Sequence, residues 1–308
     1  MTSHTLTQRK KRTAAMPTAS APPPRQPQRL LSYAELAPWQ QDNEYLLHGY
    51  RAESRSVSLC LRSWSYLHNE SVNIYSHLVP AVFALFFEVA SERGLFQRWY
   101  PEATGRDRFV LTFFLLSAAL CLGTSAMYHT LLSHSEHVAH VWVRLDFLGI
   151  IALIEGFFVS GIYVAFYCEP RLQRIYWTMI TTLGIFSAIL IVNPRFQGRR
   201  WRSFRLLTFV TTGLSAFAPI AHGLKLFGWE EMFKQSGLPY YLFEGLLICI
   251  GAYCYNGHIP EKFRPGAFDI WGASHQLFHL LVVAAVGVHL AAIRSAFEFK
   301  YVNKTCAA

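Results

Sequence analysis

Apolar positions gather into seven runs along this chain. Each approaches the roughly 20 residues that an α-helix needs to cross a bilayer. They cover about 74–91, 109–129, 141–166, 175–193, 206–227, 240–256 and 274–294. Polar, Pro- and Gly-bearing stretches part them, among them YPEATGRDR, SHSEH, CEPRLQR, NPRFQGRRWR, GWEEMFKQSGLP and GHIPEKFRPG. The pattern predicts an all-α fold, a polytopic bundle of seven transmembrane helices over residues 70–295. Residues 31–69 mix aromatic with charged side chains and read as an amphipathic, interfacial segment. Residues 1–30 are basic and Pro-rich with no apolar core, which predicts a disordered tail and no cleavable signal. Residues 296–308 form a short outer tail.

Composition agrees with a membrane protein. Of 308 residues, 52% are hydrophobic and only 15% charged, against about 25% charged in soluble domains. Mean hydropathy is +0.22. The net charge of +9 does not point to nucleic acid, because the basic residues sit in the tail and loops, as membrane topology requires. The six cysteines show no CxxC spacing and read as buried thiols.

The distribution of Lys and Arg places the N-terminus in the cytosol. The tail carries Arg9, Lys10, Lys11 and Arg12. The loop after the fourth run carries Arg195, Arg199, Arg200, Arg202 and Arg205 with no acid. Against this, the first outer loop holds Arg93, Arg98, Arg106 and Arg108. The membrane in question is the endoplasmic reticulum or the plasma membrane.

Seven spans permit an argument from parity. The start of an odd span and the end of an even span share one face of the membrane. His275 and His279 open the seventh run, His129 closes the second, and Asp146 lies near the start of the third. Glu70, Asn73 and His77 stand at the entry of the first. All meet at one boundary. A lone histidine at a helix end is an ordinary interfacial residue. Three histidines and a carboxylate at the same depth are harder to dismiss, since ionisable groups in a membrane are costly.

His275 and His279 are four apart and share a helix face, a recurrent zinc arrangement. Three imidazoles leave a fourth position for water, whose pKa zinc would lower. Asp146 could accept its proton, and Ser125, one turn before His129, could assist an oxyanion. Glu70, Asn73 and His77 share a face at i, i+3, i+7. They read either as supports of the metal site or as a polar cap that bonds between helices. His134, His137 and His140 read as a solvated loop. Glu155, half a turn out of phase with Asp146, reads as bonding a neighbouring helix. Glu88 and Glu244 lie near the opposite boundary and need no catalytic role. No phosphate loop, nucleophile elbow or HExxH is present.

The run PEKFRPGAFDIWGASHQLFH closely resembles the last-loop signature of the progestin and adiponectin receptor family, related to haemolysin III. Three polar blocks carry the resemblance: Glu70–Asn73–His77, Ser125–His129 with Asp146, and His275–His279. It covers residues from about 60 to 295, with Lys262 standing where Arg is expected. It implies a seven-helix fold with a cytosolic N-terminus and a Zn²⁺ held by His129, His275 and His279. Adiponectin receptors of the family are associated with ceramidase activity, and fungal members with zinc homeostasis and sterol or lipid metabolism. The tails resemble those of a fungal member.

Two functions follow as expectations. One is an intramembrane zinc hydrolase of a lipid amide, such as ceramide, with Asp146 handling protons and Ser125 assisting. The other is a receptor or regulator with a structural zinc, responding to a membrane lipid such as ceramide or a sterol-like ligand. A zinc transporter is disfavoured, since the midplane offers few ligands.

Overall fold

A computed structural model of the chain describes residues 29–303 and Cys306. The basic tail read as disordered lies outside the described residues, apart from Arg29 and Leu30. Among the described residues the fold is helical, with ten α-helices joined by short 3₁₀ turns, one π-helical turn (Ser91–Leu95) and loops. Two short helices, α1 (Val57–Arg62) and α3 (Phe96–Trp99), flank α2 (Ser71–Ala90). The others are α4 (Gly105–Leu131), α5 (Glu136–Ala165), α6 (Pro170–Val192), α7 (Arg202–Leu214), α8 (Phe217–Ser236), α9 (Leu238–Gly257) and α10 (Ser274–Asn303). Together they provide seven segments long and apolar enough to cross a membrane, the fifth being α7 with α8. The predicted seven-helix bundle is what the chain forms.

Local chemistry explains where the helices begin and end. Thr104 and Asp107 make a reciprocal capping box at the start of α4, satisfying donors that the first turn leaves free. Pro170 opens α6, where its missing N–H costs nothing. Gly237, at φ +70°, separates α8 from α9. The fifth span differs from its prediction. The chain interrupts it at Ser215–Ala216 and turns again at Gly228, φ +78°, one residue past the predicted end at 227. Helix α5 starts earlier than expected, so His137 and His140 are helical residues, not loop residues.

The spans close into a ring in which α2 packs on α4, α4 on α5, α5 on α6, α6 on α7, α7 on α9, α9 on α10, and α10 back on α2. Helix α5 also reaches α10 through the middle. Phe114, Leu122, Ile293 and Phe297 are fully buried in the core that α4, α5 and α10 share. Helices α4 and α5 approach closely because Gly149 and Gly156, seven residues apart, present no side chain to α4. A Cβ on Gly149 would stand 2.9 Å from the Cys121 Cα, and one on Gly156 would meet Ser117. Small residues at such crossings let backbones approach. This antiparallel register sets Asp146 opposite Ser125.

At the end of the bundle away from the histidines, buried Asp107 gathers three donors besides the two of Thr104 in its capping box. Tyr163 and Tyr301 each donate at 2.8 Å and Lys300 at 2.5 Å. Cys168, after α5, forms a disulfide with Cys306, beyond α10. The cysteine reading therefore needs correction for this pair. Cys60 and Cys121 are buried free thiols, while Cys249 is exposed.

Candidate metal centre

The end of the bundle opposite the disulfide brings His129, His275 and His279 together. One nitrogen of each ring lies within 4.8 Å of the corresponding nitrogens of the other two. Ring centroids are 4.7–4.9 Å apart, and the planes meet nearly at right angles. The rings are arranged edge against face, close enough for one nitrogen of each to reach a shared ion.

Hydrogen bonds decide which nitrogens can do so. His129 Nδ1 is 2.7 Å from Glu70 Oε2, and a carboxylate there retains the proton on Nδ1. Nε2 then carries the lone pair, and it is buried with no partner. His279 Nδ1 lies 3.1 Å from the Asn73 carbonyl oxygen. A carbonyl only accepts, so Nδ1 donates and Nε2 is again the free base. Two rings from different helices are thus held in the same tautomer. Neutral imidazoles with free lone pairs suit a zinc-type ion, and buried polar atoms without partners are costly unless something binds them. The residues present fit such an ion.

The surrounding groups hold this arrangement. Asn73 Nδ2 donates to Glu70 Oε2 at 2.7 Å, so one carboxylate oxygen serves both Asn73 and His129. His77 stacks flat on His279, with centroids 3.6 Å apart, and neither of its nitrogens has a partner. Ser125 and Asp146 are both buried, Ser125 one turn before His129 on α4 and Asp146 on the facing helix α5. The eight residues singled out from sequence therefore lie in one region of the bundle.

Helix ends are fixed by residues the sequence did not single out. Arg51 is buried against the end of α4. Its guanidinium donates to the carbonyls of His129, at 2.5 Å, and Thr130, at 3.0 Å, and to Ser63 Oγ at 2.7 Å. It closes carbonyls that the last turn leaves free and places a positive charge at the negative end of the dipole. Burial pushes its pKa down from the usual value, yet a guanidinium has ample range to remain charged. Glu261, fully buried, accepts from the Ser274 backbone N–H at 2.8 Å and from the Ser274 hydroxyl, tying down the start of α10. Asn43 donates to the same carboxylate at 3.0 Å, so residues 31–69 fold onto this end of the bundle. Buried His68 accepts the Glu70 N–H at 3.1 Å as α2 begins.

A second polar cluster sits near the opposite boundary. His289 lies between Glu244 Oε2, 2.7 Å from Nδ1, and Ser160 Oγ, 2.7 Å from Nε2. Ser160 is wholly buried, and the cluster joins α5, α9 and α10. Glu155 accepts from Thr181 on α6 at 3.4 Å.

Comparison with known proteins follows the same residues. The haemolysin-III-related family model matches residues 65–290. The chain is 38% identical over 292 residues to ADIPOR-like receptor IZH2 of Saccharomyces cerevisiae, covering 95% of this chain and 92% of the relative. It is 37% identical to progestin and adipoQ receptor-like protein 1 of Caenorhabditis elegans, covering 90% and 63%. It is 34% identical to the adiponectin receptor protein of Drosophila melanogaster, covering 89% and 61%.

Proposed function

Since the chain belongs to the haemolysin-III-related family of integral, multi-pass membrane proteins, we propose that its three-histidine centre holds Zn²⁺ and hydrolyses a lipid amide such as ceramide. His129, His275 and His279 would be the ligands. When bound, the ion would supply Lewis acidity and a water of lowered pKa. The chain's own groups do the rest. Glu70 and the Asn73 carbonyl keep the His129 and His279 lone pairs on Nε2. Asp146 takes a proton from the attacking water and passes it to the leaving amine nitrogen. Ser125 donates its one hydroxyl hydrogen to the developing oxyanion. The surrounding helices exclude bulk water, which strengthens each of these interactions.

The observation that carries the reading is the convergence of three imidazoles, two of them in tautomers fixed from outside the cluster, beside a buried carboxylate. The alternative is a receptor or regulator with a structural metal, and the names of the relatives, which are receptors, favour it. The two readings part at Asp146. Metal content and ceramide cleavage are measured on purified wild type, His275→Ala and Asp146→Asn. The hydrolase reading expects His275→Ala to lose both. Asp146→Asn should keep its metal and lose at least about 100-fold in rate. Loss of zinc with unchanged cleavage would sink the metal mechanism.

The centre faces the cytosol in this proposal. The supporting observations are the arginine-rich loop at its end of the bundle and the Cys168–Cys306 disulfide at the other, since disulfides persist on the oxidising side of a membrane.

A further inference from the structure

A groove of about 750 Å³ opens on the outside of the bundle between the first turns of α2 and α10. Val72, Tyr75 and Val79 line it from α2, Leu280 and Val283 from α10, and Trp271 from the loop before α10. None of its lining residues is charged. Tyr75, Val79 and Leu280 are exposed in the protein alone. In a chain whose spans cross a bilayer, this surface lies in the apolar layer, where hydrocarbon is the available solvent. The volume falls within the roughly 300–1,000 Å³ usual for ligand sites.

Two features make the groove more than an ordinary lipid-facing surface. Its inner wall includes Ser76, whose Oγ lies 3.2 Å from His279 Nδ1. One side chain therefore separates the groove from a metal-centre imidazole. Pro80, also in the wall, has no N–H, so the Ser76 carbonyl lacks the helical donor that position 80 would otherwise supply. The wall is otherwise largely apolar; of its hydroxyl residues, Ser65, Tyr66, Ser71, Tyr75 and Ser76, it is Ser76 that lies against a metal-centre imidazole, and the same residue has the carbonyl without its helical donor. An acyl chain with an uncharged amide and hydroxyl at its head complements both parts. A phosphate headgroup finds no cation in the lining.

We propose that this groove seats the acyl chain of a neutral lipid amide and is its lateral entrance from the membrane to the metal centre, with the Ser76 carbonyl and hydroxyl receiving the amide and hydroxyl hydrogens. The inference rests on the hydrolase reading and adds to it the route.

The test uses the full chain in phosphatidylcholine nanodiscs with a long-chain ceramide carrying a diazirine in its acyl chain. Photolabelled peptides are mapped by mass spectrometry, and zinc content and cleavage are read on the same samples. Val79→Trp and Leu280→Trp fill the groove. Ile185→Trp, on the exposed face of α6, is the control. Expected are adducts concentrated at residues 72–80 and 280–283, displaced by unlabelled ceramide and not by added phosphatidylcholine. Both filling variants should lose about tenfold in labelling and cleavage with zinc retained, and the control should lose neither. Labelling spread evenly over the lipid-facing surface means bulk bilayer lipid only and overturns the proposal. So does a filled groove that leaves cleavage at the wild-type rate. Groove-specific labelling by a wild type that cleaves nothing keeps the groove and removes the hydrolase reading. Cleavage without groove labelling does the reverse. The wild-type map decides the matter even where a tryptophan variant fails to fold.

Discussion

Glu70 offers the sharpest probe of the metal centre, because it touches a proposed ligand without being one. Its Oε2 accepts from His129 Nδ1 and from Asn73 Nδ2, each at 2.7 Å. Glu70→Gln keeps the shape and an acceptor oxygen but removes the charge. Hydrogen bonds to charged groups contribute about 1.5–3 kcal/mol and neutral ones about 0.5–1.5. The difference, about 1–1.5 kcal/mol, falls on the basicity and orientation of His129. Metal affinity should therefore drop about five- to tenfold. Glu70→Ala removes the acceptor, frees the His129 tautomer and strands the Asn73 amide. The loss there should reach about 10–100-fold, the usual cost of removing such a supporting partner. The assay is competition for Zn²⁺ against a chromophoric chelator, on the purified full chain at fixed pH. The reasoning is refuted if Glu70→Ala binds within about twofold of wild type, because His129 would then need no tautomer control to serve as a ligand.

Arg51→Met should unpair the His129 and Thr130 carbonyls, at about 1–3 kcal/mol for each buried group left unsatisfied, lowering Tm by several degrees and weakening metal binding; retention of both would remove the capping role. Gly149→Ala forces a Cβ to within 2.9 Å of the Cys121 Cα and should cost about 1–3 kcal/mol; Gly245→Ala, which meets nothing within 4 Å, should leave Tm unchanged. Burial, aided by nearby Arg51 and opposed by Glu70, lowers the His68 pKa from 6.5 to about 3. The folded protein then binds fewer protons than the unfolded chain between those values. The contribution is whole above pH 6.5 and is lost as pH falls towards 3. Tm measured against pH should fall below 6.5, and His68→Gln, which keeps an acceptor for the Glu70 N–H, should flatten part of that slope.

Sequence was most informative where physics constrains it most tightly. Apolar length fixes a membrane span, so all seven spans could be read, although α10 runs to Asn303, nine residues past the predicted end at 294 and into what was read as an outer tail. Parity then placed His129, His275 and His279 at one depth without any knowledge of packing. The fifth span was harder, because its turns at Ser215–Ala216 and Gly228 sit within or at the edge of a continuous apolar run. Arg51 carried no local signal, since its partners are backbone carbonyls 78 and 79 residues away. The Cys168–Cys306 pair and the Ser160–His289–Glu244 cluster did carry one. Parity puts each of these groups at the boundary opposite the histidine trio, and only the rule that made the trio visible was needed to see them.

The last helix is tethered at both ends. Its first turn is anchored to Glu261, and past its far end Cys306 is joined covalently to the tip of α5. Thirty helical residues, about 45 Å of rod, are thus pinned like a beam between two supports. Such a beam resists sliding along its own axis, so the two imidazoles near one end cannot be withdrawn by a piston stroke. Any opening of the bundle has to come from neighbouring helices swinging aside while the α5–α10 frame stays still.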